Sequence, residues 1–199
     1  MAIYSRLFKK LQWQVVAALA SFFVTFFTLP VNAGEVSAQI HSGTEENAVG
    51  YSFVYSDNIS TKRNFRWGVA YSYLDEMKAE WNGEETFFNN DTLELFAAYR
   101  HFPQTYNSFW RPFTFEVQAG ASVSLTENKF IFENFPDQEI VFSEKNDINL
   151  MASFIAQYQL SKETQLQLGY KYYPDFSDFG SQSSVFIGIT YQFGRKLGY

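Results

Sequence analysis

The sequence predicts an all-β chain, an eight-stranded antiparallel up-and-down transmembrane β-barrel, and three observations carry that prediction. The first is alternation. In RPFTFEVQAGASVSL (111–125) each odd residue from Phe113 to Leu125 is apolar, and between them stand Thr114, Glu116, Gln118, Gly120, Ser122 and Ser124. The second is recurrence, because segments of this kind fill the chain at about 35–42, 48–56, 64–74, 92–101, 112–125, 147–159, 164–173 and 184–193. Eight is an even number and suits the smallest barrels that cross a membrane. The third is the chemistry of the two faces. One is uncharged and aromatic at its ends, running through Val36, Ala38, Ile40, Tyr51, Phe53, Tyr55, Trp67, Leu95, Val117, Phe154, Leu168 and Ile189. The other is polar with small residues interspersed, and includes Ser37, Gln39, His41, Arg66, Glu94, Arg100, Glu116, Gln157, Gln167 and Lys171. A water-soluble sandwich would bury the apolar face and wet the polar one. An uncharged band on every strand is what lipid requires of the outside of a barrel.

Residues 1–33 read differently from the rest. Arg6, Lys9 and Lys10 precede the apolar run 15–29, which ends in Pro30-Val31-Asn32-Ala33. This is the pattern of a secretory signal peptide cleaved after Ala33, leaving 34–199 as the barrel domain. Its removal takes away three bases and no acids, so the net charge of −6 becomes more negative, which argues against a nucleic-acid partner. No cysteine is present, so neither a disulfide framework nor a cysteine metal site arises. No later stretch reaches the roughly 18 consecutive apolar residues of a membrane-spanning helix, which leaves a closed barrel as the way across.

The connections divide into two kinds. Segments 57–63, 102–111 and 160–163 are short, whereas 75–91, 126–146 and 174–183 are longer, and 43–47 is a short exception on the long side. Short periplasmic turns and long outer loops are the rule for outer-membrane barrels. The outer loops are acidic, with fifteen Asp and Glu against Lys78, Lys129 and Lys145. The inner turns and tail are basic, with Lys62, Arg63, Arg111, Lys162, Arg195 and Lys196 against Asp57 and Glu163. Within 128–145, NKFIFENFPDQEIVFSEK is too apolar for a solvated loop. Phe130, Phe132, Ile140 and Phe142 flank a turn signal at 134–137, which predicts a hairpin continuing beyond the membrane, with a bulge after Leu125 where the parity changes. These four side chains are the candidates for a surface interaction with an extracellular protein.

The inward charges Arg66, Glu94, Arg100, Glu116 and Lys171 are expected to pair as a structural plug, since eight strands leave an interior just wide enough for its own side chains. A pore does not follow. No catalytic, cofactor or metal residues are assigned: His41 faces the lumen near the outer rim and His101 lies at the opposite end, too far apart to share a site.

The last strand, Ser184 to Phe193, resembles the carboxy-terminal assembly signal of outer-membrane barrels, which implies recognition by the barrel-assembly machinery; Gly194–Tyr199 overhangs the usual terminal aromatic. Arg111-Pro112-Phe113 followed by Ala119-Gly120-Ala121 is similar to the fifth strand of small porin-like, OmpX-type barrels. Over residues 93–193 the chain loosely resembles the lipid A 3-O-deacylase family, whose seventh strand carries a catalytic His-x-Ser-Asn. Here Lys171 stands where the histidine would be and Tyr173 where the serine would be, so the hydroxyl–imidazole couple is missing. The resulting expectation is a non-enzymatic protein of the outer membrane of a Gram-negative bacterium. It would be surrounded by lipid and lipopolysaccharide, and would serve envelope structure or surface adhesion. A lipid A or phospholipid acyl hydrolase is the alternative.

Overall fold

The computed structural model describes residues 34–43, 48–59, 64–81, 84–104, 106–131, 139–176 and 180–194. The signal-peptide assignment for 1–33 lies outside them. The strands are β1 (Gly34–Gly43), β2 (Val49–Asn58), β3 (Phe65–Trp81), β4 (Glu84–His101), β5 (Phe113–Ser124), β6 (Asn128–Ile131), β7 (Glu139–Ser143), β8 (Ile148–Gln159), β9 (Thr164–Phe176) and β10 (Gly180–Phe193).

Eight of them close a barrel in the order β1-β10-β9-β8-β5-β4-β3-β2, while β6 and β7 form a separate two-stranded sheet. All barrel pairings are antiparallel between chain neighbours, with β6–β7 inserted between β5 and β8. Because the number is even, β1 and β10 run in opposite directions and zip from Gly34↔Phe193 to Gly43↔Ser184. Closure removes every free edge from the sheet, so each strand's backbone groups are paired without water.

The pleat then sorts the side chains. Leu95 is 62% exposed on the outside and Glu94 beside it is 1% exposed inside. No member of the expected outward face is buried, and Val117, Phe154 and Ile189 are each half-exposed. Arg66, Glu94, Arg100, Glu116 and Lys171 all point into the lumen.

Two expectations about the long connections need correction. Segment 75–91 is not a loop. β3 and β4 run on as a hairpin past the point where the sequence alternation ends, pairing Met77↔Phe88 through Trp81↔Glu84. The register shifts between Leu74 and Met77, and Glu76 sits there with φ 55°. This bulge inserts one extra residue into β3 and flips its parity, which is why the alternation breaks although the strand continues. Between β5 and β8 the chain does form a hairpin, but β6–β7 is detached from the barrel sheet. Strand β5 stops at Ser124, and the neck is closed by Asn146 N–H to Ser124 O at 2.8 Å and Ser124 N–H to Asp147 O at 2.9 Å. The register irregularity lies at Asn128/Lys129 rather than directly after Leu125. The turn signal at 134–137 lies outside the described residues.

The lumen is less uniformly polar than expected, because Phe96 and Phe186 also point inward. Each is matched by glycine on neighbouring strands: Phe96 lies opposite Gly68 and Gly120, and Phe186 opposite Gly169. A Cβ at Gly169 would stand 2.3 Å from Phe186 Cζ. Substitution Gly169→Val is therefore expected to cost about 1–3 kcal/mol by overpacking, read as a lower temperature for loss of the fast-migrating folded band on a gel. Pairing it with Phe186→Leu should restore most of that loss; no recovery would contradict the packing described.

Candidate functional site

Two ionic clusters occupy the lumen, and the strands place them by parity. The first lies toward the rim formed by the short turns. Arg100 of β4 grips Glu35 of β1 with both terminal nitrogens, each at 2.8 Å, and its Nε donates to Glu116 of β5 at 2.7 Å. Arg66 of β3 adds Nη1 to Glu35 Oε1 at 2.7 Å and Nη2 to Ser56 at 2.7 Å. The other oxygen of Glu116 accepts from Gln118 Nε2 at 2.8 Å, and Gln118 in turn accepts from Ser153 at 2.7 Å. Two carboxylates and two guanidiniums thus neutralise each other, and the Arg100–Glu35 pair is bidentate, the arrangement in which arginine–carboxylate pairing is strongest.

The second cluster centres on Glu94. Lys171 Nζ reaches both of its oxygens at 2.9 Å, Ser72 donates to Oε1 at 2.6 Å, and the Tyr173 hydroxyl donates to the same oxygen at 2.7 Å. Ser72 continues to Ser52 at 2.7 Å, Ser52 to His41 Nε2 at 2.6 Å, and His41 Nδ1 to Ser184 at 3.1 Å. Every member is buried.

Along the inner face of β4, from the short-turn rim outward, stand Arg100, Ala98, Phe96, Glu94, Thr92, Asn90 and Phe88. The ionic residues Arg100 and Glu94 are thus about 20 Å apart along the strand. Between them Val54, Ala70, Phe96, Ala98 and Met151 form an apolar layer. A cavity of about 10 Å³ beside Ser72, Asn90, Thr92, Tyr173 and Gln182 has room for about one water molecule. Beyond it the extended hairpin and the β6–β7 sheet meet at rings: Phe88–Phe142 stacked at 6.0 Å, Phe88–Phe130 at 6.3 Å and Phe130–Phe142 at 5.6 Å, with buried Met77 paired to Phe88. Asn128 Nδ2 donating to Asn89 O at 3.0 Å and Leu125 N–H to Asp91 O at 2.8 Å fasten this lobe to β4.

The inward charges expected from the sequence therefore form two clusters instead of one. Glu35 was missed. The five named residues sum to one positive charge, which a sealed interior does not tolerate, and Glu35 shares parity with Ser37, Gln39 and His41; both signals pointed to a third acid on β1. Of the four candidates for surface contact, Phe142 is buried in the ring cluster and Phe130 is half-buried there, so these two build the lobe rather than present it. Phe132 and the Ile140 side chain lie outside the described residues. The exposed apolar side chains on this lobe are instead Phe87 and Ile131, at 52% and 65%.

His41 lies within the lumen and His101 is exposed. Lys171 and Tyr173, at the positions of the deacylase His and Ser, both point inward and bind Glu94, where no acyl chain in the surrounding lipid meets them. The Ser52–His41 contact has the chemistry of an activated hydroxyl, but both groups are sealed among other side chains.

Breaking one member of a buried pair leaves an uncompensated charge and costs about 3–5 kcal/mol. Glu94→Gln and Lys171→Met should each lower the temperature at which the folded gel band is lost, and the double variant should lose less than the two combined. Additive losses would show that the pair does not act as a unit.

No protein-family profile and no characterised protein sequence matches the chain. Solved structures do. A designed transmembrane β-barrel aligns with TM-score 0.50 at 16% identity, covering 83% of this chain and 98% of that one. Neisserial surface protein A aligns with TM-score 0.51 at 16% identity over 81% and 95%. The attachment invasion locus protein Ail of Yersinia pestis, solved with the heparin analogue sucrose octasulfate, aligns with TM-score 0.51 at 11% identity over 82% and 100%. At these identities the likeness concerns architecture, and it agrees with the inside-out sorting of side chains: the chain has the fold of a small eight-stranded transmembrane β-barrel.

Proposed function

We propose that this chain is a non-enzymatic protein of a Gram-negative outer membrane, exported by residues 1–33, assembled through its last strand, and acting by surface interaction through the lobe built on β3, β4, β6 and β7. The short turns then face the periplasm and the lobe faces outward among lipopolysaccharide. The observation that carries this reading is the lobe's own core. Phe88, Phe130, Phe142 and Met77 hold a second sheet beyond the barrel, which closing the barrel does not require, and that sheet leaves Phe87 and Ile131 exposed. A packed platform that presents apolar side chains to solvent suits a contact surface.

Charge narrows the partner. Ail carries its fold into a complex with a sulfated polyanion. The outer segments of this chain hold fifteen acids against three lysines, so a polyanion would be repelled and a basic or apolar protein segment fits. An extended segment of that kind can pair with the edge of β6–β7 by main-chain hydrogen bonds. The same carboxylates can share divalent cations with lipopolysaccharide phosphates, which serves envelope cohesion.

The test is adherence of cells displaying the protein to host cells and extracellular-matrix coatings. Phe87→Asp with Ile131→Asp, and separately a short turn in place of 128–145, should each reduce adherence by about tenfold, the loss expected when roughly 1–2 kcal/mol of apolar contact is removed. Variant adherence equal to that of the unmodified protein, or adherence of cells with the unmodified protein no greater than that of cells lacking it, would overturn the proposal.

A further inference from the structure

The connection between β4 and β5 is longer than a hairpin needs. It spans residues 102–112, whereas two to five residues would join two adjacent antiparallel strands. Its second half is built. Asn107 caps a single turn, accepting from Phe109 N–H through Oδ1 at 2.9 Å and from Arg111 N–H through its carbonyl at 3.2 Å, and Phe113 N–H returns to Trp110 O at 3.0 Å. The result is aromatic and exposed: Tyr106 is fully exposed, Phe109 62% and Trp110 46%. Rings left in water on a hydrogen-bonded turn call for an apolar partner.

Continuity identifies that partner. Phe109 and Trp110 each lie 5.6 Å from Phe113, and Phe113 lies 5.1 Å from Tyr158, both of which belong to the outward, lipid-facing set. The rings are therefore continuous with the lipid-facing band at the end of β5 instead of standing apart from it. Arg111 follows directly, exposed and without an ion pair among the described residues. An amphipathic ring at the acyl boundary beside a guanidinium at phosphate level is the composition that suits a lipid headgroup layer.

We infer that the capped turn 106–111 is a docking surface for the glycerophospholipid leaflet on the short-turn side, with Phe109 and Trp110 seated at the acyl–headgroup boundary and Arg111 on a lipid phosphate. The turn acts as a foot that lies in the membrane plane and fixes the depth of the barrel. This inference rests on the transmembrane reading of the fold, and the test separates the two.

The full chain without residues 1–33 contains Trp67, Trp81 and Trp110, so single-tryptophan variants are simple to make. Trp110 is left alone by Trp67→Phe with Trp81→Phe, and Trp67, which faces lipid from β3, is left alone by Trp81→Phe with Trp110→Phe. Each is refolded into phosphatidylethanolamine–phosphatidylglycerol vesicles carrying lipid brominated either near the headgroup or near the chain end. Trp110 should emit blue-shifted light, be quenched more by headgroup-proximal bromine than by chain-end bromine, and be shielded from aqueous acrylamide. Arg111→Gln should move its emission toward that of tryptophan in water. Water-like emission with free acrylamide access at Trp110, while Trp67 is quenched by bromolipid, overturns the foot and leaves the barrel standing. Loss of bromolipid quenching at both positions overturns both. If a single-tryptophan variant fails to refold, the difference between the unmodified protein and Trp110→Phe gives the same readout.

Discussion

The structure depends on charge neutrality inside a closed cylinder. Glu35, Glu94 and Glu116 are met by Arg66, Arg100 and Lys171, each at hydrogen-bonding distance and each buried. In so little water an unmatched charge would cost several kcal/mol, so the number and placement of these residues are fixed by one another. Arg100 is the pivot, since its guanidinium joins β4 to β1 and β5 at once and so staples three strands across the barrel.

A lumen filled in this way limits what the protein can do. The ionic layers and the apolar layer around Phe96 set buried side chains across the lumen at successive levels, and the residues at the positions of a deacylase couple are occupied in holding Glu94. The outer wall is given over to lipid. The two ends of the barrel are built differently. One carries an aromatic-cored lobe among acidic residues, and the other carries short turns and an exposed aromatic foot beside a base.

Most of the barrel is legible in the sequence because the pleat has a period of two and lipid tolerates no charge, so parity alone separates inside from outside. It fails where parity is locally uninformative. Runs such as Phe53-Val54, Val69-Ala70, Leu95-Phe96-Ala97-Ala98 and Leu150-Met151-Ala152 are apolar on both faces, and the luminal apolar layer is hidden in them. It also fails at the bulge around Glu76, where one inserted residue inverts the pattern and a continuing strand reads as a charged loop. Glu35 was overlooked because it stands at the very start of β1, where the alternation had only just begun, although the charge sum demanded it. The hairpin's existence follows from its apolar composition, but whether its rings face a partner or each other depends on Phe88 of β4, a contact distant in sequence that no local pattern encodes.

The sealed, ion-paired interior is tested most directly by electrical recording from the refolded protein in planar lipid bilayers. The account predicts a current indistinguishable from that of the bare bilayer at moderate voltage. Reproducible, discrete open-channel steps would contradict it, because they require a water-filled path through the region where Glu35, Arg66, Arg100 and Phe96 stand.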